Sequence, residues 1–420
     1  MSTIRVLSAE ADFDAFANIV IDAYPALFER SEKSRQKLAE SFIEETEKDP
    51  TMSFWGLFRT VHDEERLLGG MRLFDFRMNF LQTQIPVGGV GQVAVSLEHR
   101  REHVAKEMML FYLRHYREQG TPLAVLYPFR PDFYRQMGFG YGTKMSRYRL
   151  DPAALPEGRG REHVRRLGPD DREELRACYN RYARGTHGMI HKTERELDQL
   201  LEHEERRVVG YEEDGRLEGY LVFTFERDGS FLVNDLYVRE FIYETREALA
   251  GLLAYLHSQN DQVQRIIIRT QDPSFHHLFD DPRNGSDELV SPVYHAANLQ
   301  GVGLMYRVLD VPHMFRLLEE RDFGGQTCRL ELRIEDTFLR ENAGTTRLAF
   351  DEGHVHVLED GPCDVALEMN IGSLSALLAG TVTFERLHMY GLAEISNPAA
   401  IEMVSRVFAV ERKPVCVTAF

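Results

Sequence analysis

The chain has 420 residues, 43% of them hydrophobic and 28% charged, which is too long for one usual hydrophobic core and predicts two or three globular domains. Its 67 acidic residues outnumber the 50 basic ones, and the net charge of -17 argues against binding to nucleic acid or anionic membranes. The four cysteines form no C-x-x-C pair, and neither a secretory leader nor a membrane-spanning apolar run is present, so we expect a cytoplasmic protein without a disulfide framework.

The first predicted domain covers residues 1–150 and contains a mixed sheet with helices. Apolar residues at spacings of three and four predict its helices, and apolar alternation predicts its strands. The predicted elements are a helix at 13–23, strands at 53–58, 67–76 and 92–96, a helix at 104–119 and a buried strand at 122–127.

A basic turn joins the strand at 92–96 to the helix at 104–119. Arg100 and Arg101 lie in this turn, and His103 directly precedes the helix. The free backbone N–H groups of the first helical turn point at such a turn and favour an anion there. The strand–turn–helix order therefore predicts an anion site.

The second predicted domain covers residues 151–286 and repeats the order of the first. Its opening residues, 151–161, are rich in Pro and Gly and predict a linker. The predicted elements that follow are a helix at 170–183, a hairpin at 207–211 and 219–225, a strand at 231–237 and a helix at 246–257. Residues 239–243 stand where the first copy has its basic turn, and they offer no glycine or paired arginine for a phosphate. We expect a structural copy without a phosphate site.

The third predicted domain covers residues 287–420. Alternation of period two predicts strands at 327–334, 346–350 and 354–358, and helices are expected at 371–378 and 398–409. Strands followed by helices indicate an α+β domain. His354 and His356 share one strand face, but no third ligand lies nearby in sequence, so we expect no metal site.

The segment after the strand at 122–127 completes a known pattern. Phe133-Tyr134-Arg135-Gln136-Met137-Gly138-Phe139, taken with the turn at 100–105, resembles the GNAT acetyltransferase pattern, in which an Arg-x-x-Gly-x-Ala turn holds the CoA pyrophosphate. Over the whole chain, which ends in Phe420, the resemblance is to the enhanced intracellular survival (Eis) type of N-acetyltransferase. It implies tandem GNAT folds, the second degenerate, followed by a sterol-carrier-like α+β domain.

The resemblance also implies the parts of an active site that uses acetyl-CoA and no metal. Tyr134 matches the general acid, and the α-carboxylate of Phe420 matches the proposed base. The implied cofactor-binding residues are Val93, Val95, Arg100, Arg101, His103, Val104 and Ala105. Family precedent places the amine pocket beside the first helices and the chain end, with Tyr24, Phe28, Glu29 and Trp55 as its walls.

One residue departs from the pattern, because His103 stands where the family usually has glycine. Its ring would either crowd the pyrophosphate or donate a hydrogen bond to it. The resemblance implies transfer of an acetyl group to primary amines of a cationic, aminoglycoside-like small molecule, in a homo-oligomer, commonly a hexamer. Two alternatives remain: acetylation of peptide or protein lysines, and a lipid-binding carrier whose GNAT half is a relic.

Overall fold

The structure is a computed structural model that describes residues 2–61, 63–227 and 234–420. The chain forms two compact units. The first contains residues 1–142, 304–412 and Phe420, and the second contains residues 143–303 and 413–419. Among the described residues, no helix combines the length and apolar character that crossing a membrane requires.

The described residues contain the following helices and strands. The α-helices are α1 Glu10–Ala23, α2 Glu32–Lys48, α3 Val104–Glu118, α4 Pro131–Gln136, α5 Arg172–Gly185, α6 Glu194–Glu202, α7 Arg246–His257, α8 Val311–Leu317, α9 Ile371–Leu378, α10 Phe384–Met389 and α11 Ile401–Val407. The strands are β1 Ser2–Val6, β2 Met52–Val61, β3 Glu64–Phe80, β4 Thr83–Val95, β5 Leu123–Leu126, β6 Gly140–Tyr141, β7 Met145–Leu150, β8 Val164–Arg166, β9 Arg207–Glu213, β10 Arg216–Arg227, β11 Asn234–Tyr243, β12 Val263–Thr270, β13 Leu289–Ser291, β14 Tyr294–His295, β15 Asn298–Gly301, β16 Met305–Val308, β17 Cys328–Glu335, β18 Gly344–Asp351, β19 His354–Leu358, β20 Val365–Asn370 and β21 Ala393–Ile395.

The first unit is built on a sheet with the strand order β1-β2-β3-β4-β5-β16-β6. Strands β4 and β5 are parallel, and their pairing runs from Val87 opposite Leu123 to Val90 opposite Leu126. Apolar side chains of α1 and α2 cover one face of the sheet, whereas those of α3 and α4 cover the other. Burial on both faces explains the nearly continuous apolar stretches of the central strands.

Strand β16 comes from a distant part of the chain and is held by a buried ion pair. Arg307 of β16 donates to both carboxylate oxygens of Asp336 at 2.8 Å, and both side chains are almost fully buried. Its Nε also donates to the carbonyl oxygen of Met137 at 2.7 Å, directly after α4. Removing one member of such a pair costs about 3–5 kcal/mol, because the other charge stays buried. The pair therefore fixes the end of α4.

The same unit contains a second sheet, ordered β19-β18-β17-β20-β21. Helix α9 contacts β20 and β17 of this sheet and also β16 and β6 of the first sheet. All eight of its residues are buried. The predicted α+β arrangement of strands followed by helices is present here.

The second unit repeats the architecture of the first. Its sheet has the order β15-β7-β12-β11-β10-β9-β8, with β11 and β12 parallel. Residues of α7 pack on one face, and residues of α5 and α6 pack on the other. The order of helices and strands therefore matches the repeat that the sequence predicts.

Several predicted boundaries need correction. The predicted boundary at residue 150 placed residues 145–150 in the first domain. These residues form β7, which pairs with β12 in the second sheet, so they belong with the second domain instead. Residues 239–243 are part of β11 and not a turn, because β10 supplies an antiparallel partner for them. Only part of the predicted strand at 231–237 can be located, since residues 231–233 lie outside the described residues.

Candidate active site

The predicted anion site lies at the start of α3. Strand β4 ends at Val95, and α3 begins at Val104 with His103 as its N-cap. The His103 side chain makes no capping hydrogen bond. The backbone at Arg101 and His103 is left-handed, with φ of 70° and 62°. The first-turn N–H groups of a 15-residue helix are therefore not capped by a side chain, and such groups favour an anion.

A cavity of about 580 Å³ opens at this helix terminus. Its volume lies in the range of small-molecule and cofactor sites. Of the seven predicted cofactor residues, six line it, and Val93 lies two positions before Val95 on β4. The lining residues are Val95, His99, Arg100, Arg101, His103, Val104, Ala105, Lys106, Phe133, Gln136, Met137 and Phe338.

A bulge separates the end of β4 from its parallel partner. Gly70 of β3 lies opposite Ala94 and Arg72 lies opposite Gly91, so two residues of β4 face one residue of β3. The β4–β5 pairing stops at Val90. From Gly91 to Val95, β4 has a hydrogen-bonded neighbour on the β3 side only, and its other edge can pair with an extended amide-bearing ligand.

Tyr134 lies on α4, between two aromatic rings. Its ring centroid is 5.3 Å from that of Phe133 and 6.1 Å from that of Phe139. Burial, with a smaller contribution from the charge of Tyr24, raises the pKa of Tyr134 to about 12. The hydroxyl of Tyr134 therefore stays protonated throughout the neutral pH range.

Tyr24 lies where α1 ends and reaches β4. Its hydroxyl donates to the carbonyl oxygen of Val93 at 3.0 Å, and burial raises the pKa of Tyr24. Its ring meets Phe129 edge-on at 6.2 Å. Phe28 is half-buried against the same apolar cluster, and Glu29 is exposed beside it. Tyr24 and Phe28 therefore share the α1 side of the sheet, and Glu29 follows them in the chain.

Trp55 does not lie with Tyr24 and Phe28. It packs against Phe111 at 4.8 Å and His115 at 5.1 Å, both on α3. Its neighbour Phe54 packs against Phe13 and Phe16 of α1 instead. Successive side chains of a strand point to opposite faces, which places Trp55 on the α3 side of the sheet.

Phe420 packs within the first unit, on the α1 side of the sheet. Its ring centroid lies 4.9 Å from that of Phe76, 5.1 Å from that of Tyr127 and 5.4 Å from that of Phe74. A Cβ added at Gly91 would lie only 3.1 Å from the carboxyl carbon of Phe420. The terminal carboxylate thus lies against β4, two residues before the carbonyl that Tyr24 contacts.

Comparison with known proteins agrees with this arrangement. Two acetyltransferase (GNAT) domain models match residues 3–142 and 188–308, and a sterol carrier protein domain model matches residues 315–417. N-acetyltransferase Eis of Mycobacterium tuberculosis (strain H37Ra) and that of Mycobacterium bovis (strain BCG / Pasteur) are both 26% identical over 328 residues, 74% of this chain and 75% of each relative. The chain thus carries two GNAT acetyltransferase domains and a sterol carrier protein domain, and these Eis N-acetyltransferases are its homologues.

Solved structures show the same fold along the full chain. A GCN5-related N-acetyltransferase from Anabaena variabilis superposes with a TM-score of 0.82 at 18% identity, and Eis1 from Mycobacterium abscessus with a TM-score of 0.72 at 20% identity. Each comparison covers 100% of both chains. The prediction of tandem GNAT folds followed by a sterol-carrier-like domain is confirmed. This protein is an acyl-CoA-dependent N-acetyltransferase. GNAT acetyltransferases use acetyl-CoA as co-substrate, and Eis-like acetyltransferases act on amine substrates.

Sequence reasoning missed six residues that line the cavity at the start of α3. Lys106 follows Ala105 in the first turn of α3, and His99 directly precedes the arginine pair, so their positions gave a signal. Gln136 and Met137 lie within the Phe133–Phe139 motif itself. Phe338 carries no such signal, because it enters from more than 190 positions away.

No group of three His, Cys, Asp or Glu residues arranged to hold a metal occurs among residues 2–61, 63–227 and 234–420. Gly140 and Gly142 are required by close packing. A Cβ at Gly140 would lie 2.3 Å from the carbonyl oxygen of Gly372, and one at Gly142 would lie 2.1 Å from that of Leu304.

Proposed function

We propose that this enzyme transfers the acetyl group of acetyl-CoA to a primary amine of a cationic, aminoglycoside-like small molecule. The amine attacks the thioester directly in a ternary complex. The observation that carries the proposal is the position of the Phe420 carboxylate against Gly91, on the strand whose free edge continues toward the cofactor cavity. A carboxylate there would draw an ammonium group toward the bound thioester.

The cavity at α3 supports the proposed place of the cofactor. Arg100, Arg101 and the first amides of α3 would hold the pyrophosphate through charge-assisted hydrogen bonds. The free edge of β4 near Val93 and Val95 would pair with the amides of the pantetheine arm. A backbone N–H near Val95 would stabilise the oxyanion of the tetrahedral intermediate. No metal enters the proposed chemistry.

Phe420 would act on the amine before attack. The substrate ammonium gives one proton to the Phe420 carboxylate, directly or through water, and the freed lone pair forms the C–N bond at the thioester carbonyl. A carboxylate of pKa near 3.5 and an amine of pKa near 9 leave this transfer uphill by roughly 7 kcal/mol in water. Burial of the carboxylate shrinks that gap. Orientation of the amine is therefore as much the role of Phe420 as proton acceptance.

Tyr134 would complete the transfer. As the intermediate collapses, the C–S bond breaks and the thiolate of CoA takes the phenol proton. The nitrogen gives its second proton to solvent water as the amide forms, and the Tyr134 phenolate and the Phe420 carboxyl group exchange protons with solvent to restore the starting state. With the pKa of Tyr134 at about 12 and a thiol near 8.5, full transfer is uphill by roughly 5 kcal/mol. We therefore expect proton donation to accompany C–S cleavage rather than to follow it.

The amine pocket is proposed on the α1 side, at Tyr24, Phe28 and Glu29. Aromatic faces with a nearby carboxylate attract ammonium groups. The net charge of -17 also favours cationic over anionic substrates. A lipid carrier is less favoured, because a cavity of about 360 Å³ in the C-terminal third is bordered by polar groups such as Arg316, Arg347 and Glu359.

The experiment that tests this proposal moves the terminal carboxylate. A chain extended by one glycine after Phe420 should lose turnover in a thiol-release assay but keep acetyl-CoA binding in isothermal titration. The matched control, Phe420→Leu, retains a carboxylate at position 420 and should keep most turnover. Full activity of the extended chain would contradict the proposed role.

A panel of aminoglycosides, polyamines and lysine peptides in the same assay separates small-molecule from protein substrates. Preference for the lysine peptides would favour the alternative of protein acetylation.

The broader organisation is part of the same proposal. We assign the predicted ranges 1–150, 151–286 and 287–420 to the catalytic GNAT, second GNAT and sterol-carrier-like domains, except that β7 pairs in the second sheet and β16 pairs in the first. By family resemblance we also expect a homo-oligomer, commonly a hexamer in this family, and by composition a cytoplasmic location. Light scattering after size-exclusion chromatography tests the assembly.

A further inference from the structure

The second GNAT fold keeps the strand geometry of an acyl-CoA cleft but not its anion-binding turn. Strand β11 pairs in parallel with β12 as far as Val238 opposite Ile268 and then continues to Tyr243 with its β10 neighbour alone, much as β4 continues past Val90 with its β3 neighbour. Only two residues separate β11 from α7, and the second, Thr245, caps that helix by accepting from the N–H of Ala248 at 3.1 Å. The second fold therefore keeps the separation of its two parallel strands, β11 and β12, but its helix α7 is capped by a side chain and offers no anion site like that of α3.

The C-terminal tail makes backbone hydrogen bonds within this second fold. The N–H of Val415 donates to the carbonyl oxygen of His187 at 2.8 Å. The N–H of Cys416 donates to Oε1 of Gln271 at 2.6 Å, in a buried contact. Gln271 directly follows β12, and its Nε2 donates to the carbonyl oxygen of Thr143 at 3.2 Å. The Gln271 amide is therefore fixed at one end and holds the tail with the other.

The side chains of the tail are packed as in a core. Cys416 is 1% exposed and Thr418 is 3% exposed. Val415 and Val417 pack against an apolar cluster that includes residues of α5, β10 and β11. Gly188 leaves no room beside the tail, since a Cβ there would lie 2.6 Å from Cβ of Pro414. The tail therefore contacts both Gln271, directly after β12, and the apolar cluster that includes Ile242 of β11.

We propose that the second GNAT fold is a binding site for the chain's own residues 414–418, and that this binding orders the backbone that leads to Phe420. The inference rests on the role of Phe420 proposed above. Chain termini usually fray unless they are tied down. Phe420 follows Ala419 directly, so a tail bound at 414–418 lowers the conformational freedom of the segment that carries the terminal carboxylate. Gln271 and the tail residues are positioning residues, since none of them is assigned to the reacting atoms.

Replacement of one backbone donor tests this binding in the full chain. Cys416→Pro removes the backbone N–H that donates a hydrogen bond to Oε1 of Gln271. Cys416→Ser keeps that N–H and nearly the same side-chain volume. Gln271→Leu removes the acceptor from the other side of the contact. Two readouts are needed: the rate at which carboxypeptidase releases Phe420, and the kcat and KM for acetyl-CoA.

Loss of a buried hydrogen bond of this kind shifts a bound-to-free ratio by about tenfold. We expect Cys416→Pro and Gln271→Leu to release Phe420 about tenfold faster and to lower kcat about tenfold. The KM for acetyl-CoA should stay within about twofold, which also reports that the cofactor cavity is folded. Cys416→Ser should behave like the unmodified chain.

Two other outcomes have distinct meanings. Release of Phe420 at the unmodified rate in both Cys416→Pro and Gln271→Leu overturns the tail site. Faster release with unchanged kcat supports the tail site but refutes the catalytic role of Phe420. The two proposals can therefore fail separately.

Discussion

Enlarging Gly91 should displace the terminal carboxylate without altering any side chain that we assign to the chemistry. The new Cβ would lie 3.1 Å from the carboxyl carbon of Phe420 and 3.3 Å from Cε2 of Phe74. Relaxed carbon–carbon contacts are about 3.5–4.0 Å, so alanine requires a shift of roughly half an ångström. The γ-methyl groups of valine would push the carboxylate about 1 Å or more. A misplacement of about 1 Å costs on the order of 100-fold in rate.

The measurement is kcat by thiol release for the series glycine, alanine and valine at position 91. We expect a modest loss in Gly91→Ala and a loss of roughly 100-fold in Gly91→Val, with the KM for acetyl-CoA little changed. The backbone of Gly91 is not left-handed, so strain of that kind does not explain a loss. Gly301→Ala, where a Cβ meets no atom within 4 Å, is the control. Full turnover of Gly91→Val would refute the placement of Phe420 in the reaction.

Two further predictions concern the acid and the cofactor turn. Because the pKa of Tyr134 is raised to about 12, its acid form is present below that pH and is lost only as the pH rises through 12, so kcat should not fall between pH 8 and about 10. Tyr134→Phe should lower kcat by about 100-fold or more, and an alkaline fall centred near pH 10 in the unmodified enzyme would contradict the raised pKa. His103→Gly should tighten acetyl-CoA binding by about threefold to tenfold in titration calorimetry, because it removes a Cβ at a backbone φ of 62° beside the phosphate site. Weaker binding would show instead that the imidazole donates a hydrogen bond to the cofactor.

Local pattern was sufficient to predict the strand and the helix on either side of residues 96–103. The alternation at 92–96 and the helical spacing from Val104 each describe contiguous residues, and the structure places a strand ending at Val95 and a helix beginning at Val104. The helices at 246–257 and 371–378 match their predicted bounds for the same reason. Where hydrogen bonds and side-chain packing are local, periodicity is enough.

Tertiary pairing could not be predicted in this way. Nothing near Phe338 in the sequence indicates that it lines the cofactor cavity, because its position depends on the Asp336 carboxylate, which accepts from the N–H of Leu339 at 2.8 Å and pairs with Arg307. Trp55 was assigned to the amine pocket by family precedent, without knowledge of which sheet face it occupies. Period-two alternation places Trp55 and Phe54 on opposite sides of the sheet, but it does not indicate which residue points toward α1.

The position of β16 in the first sheet affects when that sheet can be completed during translation. It lies between β5 and β6 and pairs with Leu123–Leu126 on one side and with Gly140–Tyr141 on the other. Until residues 305–308 leave the ribosome, the edge of β5 stays unpaired and apolar, although every residue assigned to the cofactor turn has already been synthesised. An isolated piece ending at Gly142 would carry the acetyl-transfer motifs on an incomplete sheet, so this catalytic centre matures late in translation despite its place near the beginning of the chain.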